Sequence, residues 1–130
     1  IFYLYGLTEQ MKAQLDCLPF GDLPMRLGAH PMKLEAGSLL EKIYGSEEAS
    51  ERHHHRREFN PAYSGALAAT GLRYSGMSPD GKLVEAVEWP HHPFFVGTIY
   101  HPQFKSRPTR PHPLFIAFLE KAIAHKKGEK

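Results

Sequence analysis

Cysteine is almost absent from the 130-residue sequence, since Cys17 is the only one. This excludes a disulfide framework within the chain and predicts a reducing, cytoplasmic setting. The sequence also lacks a run of about 20 apolar residues that could span a bilayer, and it shows no targeting segment at its start. No charge sign dominates, because 16 Lys and Arg side chains are matched by 14 Asp and Glu side chains. These absences predict a soluble protein that binds neither a membrane nor nucleic acid.

Apolar and aromatic residues are present in the amounts typical of a folded domain. Apolar residues make up 42% of the chain and charged residues 23%, and a chain of this length holds one core. Histidine is the residue type in excess, with nine copies, and six of them fall in or beside clusters at positions 53–55, 91–92 and 101. These clusters require an explanation from structure or chemistry.

Hydrophobic periodicity and turn signals predict strands that alternate with short helices. Strands are expected over residues 25–34 (as a strand pair or one bent strand), 49–59, 72–76, 83–89 and 94–100. Helices are expected over 38–44, with Gly45 at the end, over 61–69, and from Pro113 onward. Because polar side chains fill residues 49–59, that strand can be half-buried only if its polar groups meet partners. The pattern predicts an α/β fold.

His101 lies in the segment Tyr100-His101-Pro102-Gln103-Phe104, directly after an apolar strand. Catalytic groups of α/β proteins are usually found at such strand ends. An imidazole there suits a general base, and the residue two positions later can hold its ring in one tautomer. From these residues alone, a histidine that only caps the strand is the competing interpretation.

A metal site is a second interpretation of the histidines. His53 and His55 would project from the same face of a strand, where another His or Glu58 could complete three zinc ligands. The spacing matches no established zinc pattern, so no metal and no other cofactor is predicted, and His53 and His55 are the candidates if a metal binds. Instead, Arg56 and Glu58 are expected to pair with the histidine cluster.

Five ordered segments resemble the C-terminal half of the class I glutamine amidotransferase domain of CTP synthases. They are Met25–Ala29, Glu51–Asn60, Ser75–Glu85, His92–Val96 and His101–Pro108. The similarity runs from about residue 25 to 124. It implies an α/β fold with a partial doubly wound sheet flanked by helices over residues 25–130. Residues 1–24 are then a divergent leader, expected as a strand plus a helix.

The resemblance implies glutamine hydrolysis that supplies ammonia to a separate synthase domain, where UTP is aminated with the use of ATP. In this family a cysteine attacks the glutamine amide, a histidine accepts its proton, and a glutamate two residues later orients the histidine. His101 matches the histidine, and Arg56 matches the arginine that binds the substrate carboxylate. Gln103 stands in the glutamate position, where its amide carries no charge to stabilise an imidazolium.

The family's nucleophile is not recognisable in this sequence. Its cysteine lies in a Gly-x-Cys-x-Gly turn, whereas Cys17 has Leu15 and Pro19 at the glycine positions. The sequence therefore predicts a truncated glutaminase domain that is inactive alone. A glutamine-like small molecule and further copies of the chain are the expected partners, because a half-domain exposes a strand edge and an apolar face. The alternatives are a repurposed stand-alone hydrolase, a metal-binding protein using the histidine cluster, or a non-catalytic oligomerising remnant.

Overall fold

The computed structural model describes residues 25–128, so the predicted leader over residues 1–24 lies outside the described part. The chain runs through β1 (Arg26–Leu34), α1 (Leu39–Tyr44), β2 (Glu48–His55), α2 (Ser64–Ala69), β3 (Arg73–Met77), β4 (Val84–Glu88), β5 (Val96–Thr98) and α3 (Pro113–Lys126). Short 3₁₀ helices at Pro61–Tyr63 and Pro102–Lys105 precede α2 and follow β5. The strands and helices lie where the hydrophobic pattern predicts them, with ends shifted by a few residues.

The strands form one five-stranded sheet in the order β2-β1-β3-β4-β5. The mixed α/β class with helices beside a sheet is confirmed. All strand pairings between residues 25 and 128 are antiparallel, so the parallel pairs of a doubly wound sheet do not occur in this part of the chain. Short connections such as the turn at Pro79-Asp80-Gly81 suit antiparallel neighbours, since a parallel pair requires a crossover of a dozen or more residues.

The first strand is a single bent strand, one of the two forms that its pattern allows. Gly28 has a φ of 86° in the middle of β1, opposite His53 of β2. Only glycine adopts this left-handed conformation at little cost, so the strand can bend there without losing its pairing to β2.

The sheet curls until its two edges approach each other. The pairing of β1 with β3 covers only two residues, which leaves the rest of β1 free to turn away. After β5, the Ile99 N–H donates to Glu85 O (3.1 Å) and the His101 N–H donates to Arg52 O (2.9 Å). The residue predicted to be a general base therefore lies where the end of β5 meets the outer edge of β2.

The core fills the space between the curled sheet and the helices α1 and α3. Its buried apolar members are Met32, Leu34, Leu40, Ala86, Tyr100 and Leu114. At α1 the Ser38 side chain accepts a hydrogen bond from Glu41 N, and Gly45 ends the helix with a φ of 67°. At α3 the predicted Pro113 begins the helix, and the His112 ring caps it by accepting from Leu114 N.

Most of the apolar face of α3 is exposed. Of the side chains at helical spacing, only Leu114 is buried, while four others lie on the surface: Phe115, Phe118, Leu119 and Ile123. The curled sheet is too small to cover a 14-residue helix along its full length. Among residues 25–128, no helix is long and apolar enough to cross a membrane.

Candidate active site

His101 and Gln103 form a hydrogen-bonded pair after β5. The His101 Nδ1 atom lies 3.1 Å from the Gln103 Nε2 atom, at the start of the 3₁₀ helix. The other ring nitrogen of His101, Nε2, has no hydrogen-bond partner among residues 25–128. The ring is half-buried and lies 5.1 Å from the Phe104 ring. One nitrogen is thus held by a neighbour and the other is free to exchange a proton.

A shallow groove of about 360 Å³ lies on the outer face of β1 and β2 next to Phe104. Its lining residues are Leu27, Arg52, His53, His54 and Phe104. The outward side chains of Arg52 and His54 lie beside the apolar side chains of Leu27 and Phe104. This surface suits an anionic group of a small molecule.

Arg56 follows directly after β2 and its side chain is exposed. It lies in a bend beyond the last strand residue, His55. The structure does not join Arg56 to His101 by a hydrogen bond. Both predicted site residues adjoin β2. The His101 N–H donates to Arg52 O in this strand, and Arg56 follows its last residue.

The inward face of β2 carries three polar side chains, Glu51, His53 and His55, and each of them makes at least one hydrogen bond. Both ring nitrogens of buried His53 face oxygen atoms: Nδ1 lies 3.0 Å from Glu51 O, and Nε2 lies 2.7 Å from Glu85 Oε2. A carbonyl and a carboxylate only accept hydrogen bonds, so satisfying both contacts requires a proton on each nitrogen. The Arg26 Nη2 atom donates to the other oxygen of Glu85 at 2.7 Å.

Arg26 also connects the His53–Glu85 pair to the segment after β2 that carries Arg56. Its Nη1 atom donates to Glu58 Oε1 (3.2 Å), and that oxygen lies 2.9 Å from His55 Nε2. The expected pairing of Glu58 with the cluster is confirmed, whereas Arg56 takes no part, because Arg26 from β1 occupies the position between the carboxylates. Arg26 places its positive charge between the carboxylates of Glu58 and Glu85.

The pKa shifts of His55 and Glu85 follow from burial and from these contacts. Burial lowers the pKa of His55, and the hydrogen bond that His55 donates to Glu58 only partly opposes this effect. Burial raises the pKa of Glu85, but the hydrogen bonds from His53 and Arg26 outweigh burial and hold that pKa below its ordinary value. The network is therefore built to keep Glu85 ionised.

His53 and His55 lie on one face of β2 as the spacing predicts, with ring centroids 5.4 Å apart. Their Nε2 atoms bind different carboxylates and do not converge on a common point. Within the described range no group of three or more His, Cys, Asp or Glu side chains is arranged to hold a metal ion.

A second network is centred on Glu51, which is fully buried. Its Oε1 atom accepts from Tyr44 Oη (3.0 Å), His112 Nε2 (2.8 Å) and Lys105 Nζ (3.4 Å). Burial raises the pKa of Glu51, but the hydrogen bond from His112, the nearby charges and the bond from Tyr44 lower it overall. Burial also raises the pKa of Tyr44 and of Tyr100, so both phenols stay protonated.

Sequence reasoning did not identify Arg26, Glu51 or Glu85 as supporting residues. The polar pattern of β2 indicated that partners were needed, but His53 and Glu85 are 32 residues apart and Glu51 and His112 are 61 apart. Only the strand order brings these groups together. The alternation of polar side chains in β2 was the available sequence signal, and it applied to Glu51 but not to Arg26 in β1 or Glu85 in β4.

Comparison with known proteins agrees with the fold and the motifs. The family model "Glutamine amidotransferase class-I" matches residues 15–121. The chain is 60% identical over 108 residues to the CTP synthase of Rhodococcus opacus and 60% identical over 107 residues to that of Mycobacterium marinum. These matches cover 82% and 81% of this chain. The glutaminase domain of Trypanosoma brucei CTPS, solved with bound acivicin, has a TM-score of 0.72 and 38% identity, and the match covers 77% of this chain.

The chain spans only part of these relatives, with 18% of each bacterial enzyme and 40% of the trypanosome chain matched. The match nevertheless extends over most of the present chain and includes the sheet, the His101 segment and the first part of α3, up to residue 121. Motifs, fold and sequence identity agree, and the chain therefore belongs to the class I glutamine amidotransferase family, with a domain like that of CTP synthases.

Proposed function

We propose that this chain supplies the histidine side of a glutaminase site of the CTP synthase type, and that it does not hydrolyse glutamine alone. The observation that carries this proposal is the His101–Gln103 pair, with Nδ1 held at 3.1 Å and Nε2 without a partner within residues 25–128. A general base needs one ring nitrogen held by a neighbour and the other free, and His101 Nε2 is basic only when the Gln103 amide is rotated so that its oxygen accepts from Nδ1–H.

In the proposed reaction His101 Nε2 accepts a proton from a cysteine thiol as the thiolate attacks the amide carbon of glutamine. The same proton then goes to the departing ammonia, and water hydrolyses the thioester. Gln103 orients the ring less firmly than a carboxylate, because an amide can either donate to Nδ1 or, after rotation, accept from it. Only the accepting orientation leaves Nε2 unprotonated and basic, so the reaction is expected to be slow.

The outward row of β2 supports the binding of glutamine. A guanidinium holds a carboxylate through two parallel hydrogen bonds, and the exposed Arg56 is free to do so. Arg52 adds positive charge beside the groove. Glutamine is therefore the proposed ligand, with its α-carboxylate at Arg56 and its amide toward His101.

The nucleophile must come from elsewhere in this proposal. Cys17 is the only cysteine in the sequence, and its Leu15 and Pro19 neighbours would obstruct the tight turn that the attack requires. A thiol on another segment or chain completes the site. The proposed role is consequently one half of a catalytic centre, for which no cofactor is needed.

The test is ammonia release from glutamine by the chain alone and by a hybrid enzyme. In the hybrid, the 108 matched residues of this chain replace the corresponding segment of the Rhodococcus opacus CTP synthase. We expect no release above background from the chain alone, measurable release from the hybrid, and loss of release in the His101→Asn hybrid. The His91→Asn hybrid is the matched control, because His91 is an exposed histidine outside the proposed site.

Two results would contradict the proposal. One is ammonia release by the chain alone that disappears on Cys17→Ser substitution. The other is a His101→Asn hybrid as active as the His91→Asn control.

A further inference from the structure

Three points of the segment that carries His101 are connected to one buried carboxylate. This segment, residues 100–112, is called the His101 loop below. Lys105 Nζ and His112 Nε2 both donate to Glu51 Oε1, from the middle and the end of the loop. Tyr100, at its start, reaches the same oxygen through Tyr44, whose hydroxyl lies 3.1 Å from the Tyr100 hydroxyl.

The direction of these hydrogen bonds follows from the available protons. The His112 Nδ1 atom accepts from Leu114 N, so the ring proton is on Nε2 and is donated to Glu51. The single hydroxyl proton of Tyr44 is directed to Glu51, which leaves Tyr100 to donate to Tyr44. An ionised Glu51 is therefore the common acceptor of the network.

The loop is fixed to β2 next to this carboxylate as well. The His101 N–H donates to the carbonyl of Arg52, the residue after Glu51, and Lys105 Nζ donates to Ser50 O at 2.5 Å. We propose that Glu51 is a positioning residue, which acts through Tyr100, Lys105 and His112 to hold the His101 loop against β2. This inference rests on the proposed function, because it assigns to that site the group that orients its base.

Loss of the Glu51 charge is expected to free the loop selectively. In Glu51→Gln one oxygen remains as an acceptor and an amide NH₂ replaces the other. The second oxygen of Glu51, Oε2, has no hydrogen-bond partner within residues 25–128, so an NH₂ group there would be buried without an acceptor. The charge-assisted bonds from the loop are also weakened. The loop should then open without unfolding of the sheet.

The experiment is amide hydrogen exchange of the chain, followed by NMR, with ¹⁵N chemical shifts of the His101 ring. The reference amide is Trp89 N–H, which donates to Phe95 O in the β4–β5 hairpin. In Glu51→Gln, exchange at His101 N–H should rise relative to Trp89 by about tenfold or more, the effect of losing one charge-assisted hydrogen bond. The His101 ring shifts should change because its contact with Gln103 is disturbed.

Glu85→Gln is the matched control, because Glu85 is an equally buried carboxylate of the same sheet whose side chain makes its hydrogen bonds to Arg26 and His53 and not to the loop. It should leave the His101-to-Trp89 exchange ratio and the His101 ring shifts unchanged. Equal changes in the two variants would show that Glu51 only stabilises the fold and would overturn the proposal. Unchanged exchange in Glu51→Gln would also overturn it.

Lys105→Met tests the same connection if Glu51→Gln does not fold. The Lys105 side chain is 44% exposed, so its replacement does not threaten the core. The His101-to-Trp89 exchange ratio should rise in this variant, and an unchanged ratio would overturn the proposal. Neither measurement uses glutamine, so failure here is distinguishable from failure of the ammonia assay.

Discussion

At the scale of single residues, the basic and acidic side chains of β2 divide between two tasks according to the face they occupy. Alternation along the strand directs Glu51, His53 and His55 inward and Arg52 and His54 outward. The inward groups are expensive to bury and each of them makes at least one hydrogen bond, whereas the outward groups remain available to a ligand. The histidine triplet is therefore not one functional cluster, because its middle member faces the other way.

The exposed Arg56 that follows β2 leads to a prediction about glutamine binding. In the hybrid enzyme, Arg56→Met should raise the KM for glutamine about 100-fold with little change in kcat, because a bidentate bond to the carboxylate is made equally in the ground state and the transition state. Steady-state kinetics of ammonia release measure both constants. Arg57→Met is the control and should change neither; a fall in kcat at constant KM for Arg56→Met would show that this arginine does not bind the carboxylate.

At the scale of elements, sequence signals located the helix ends well. Ser38 and Gly45 mark the two ends of α1, and Pro113 begins α3, because caps depend on residues that are close in the chain. The strand partners could not be predicted in the same way. The antiparallel order of the strands and the hydrogen bond between Glu51 and His112 depend on contacts between segments that are distant in the sequence. Local periodicity does not encode such contacts.

The N-terminal cap of α1 provides a prediction at this scale. Ser38→Ala should lower the free energy of unfolding by about 1 kcal/mol, since the buried hydroxyl accepts the Glu41 N–H that would otherwise lose its partner. Urea unfolding followed by circular dichroism measures the change. Ser50→Ala, at an exposed position of β2, should stay within about 0.5 kcal/mol of the parent chain. Equal stability of the two variants would contradict the assigned cap.

At the scale of the whole molecule, two buried networks make stability depend on pH. His55, Glu51 and Glu85 all have a pKa below the ordinary value in the folded chain. The unfolded chain therefore binds more protons than the folded chain as the pH falls, and each of these groups loses its stabilising effect on acidification.

The free energy of unfolding should fall as the pH drops below 6.5, the ordinary value for His55, and fall further below 4.5, the ordinary value for the two glutamates. The slope from one such group cannot exceed about 1.4 kcal/mol per pH unit. Urea titrations between pH 8 and pH 4 measure it. His55→Gln should reduce the loss of stability between pH 7 and pH 5, and a parent chain that becomes more stable over that interval would contradict the account.

The exposed face of α3 predicts self-association of the chain. Phe118 and Leu119 are 54% and 58% exposed, and burial of such side chains in an interface is favourable. Light scattering at micromolar concentration should give a mass above the 14.7 kDa of one chain, and Leu119→Lys should shift it toward one chain. Ala122→Lys, at an exposed position with little apolar surface, is the control. A parent mass of one chain would contradict this prediction.

The central claim is that His101 is the base of a glutaminase site and that Gln103 occupies the position which orients it. The most direct test is the rate of ammonia release by the hybrid enzyme with Gln103 and with Gln103→Glu, at saturating glutamine. A carboxylate fixes the Nδ1–H tautomer and stabilises the imidazolium, so the account predicts an increase in kcat of about 10²- to 10⁴-fold. An unchanged or lower kcat would contradict the assignment of Gln103 and, with it, the proposed role of His101.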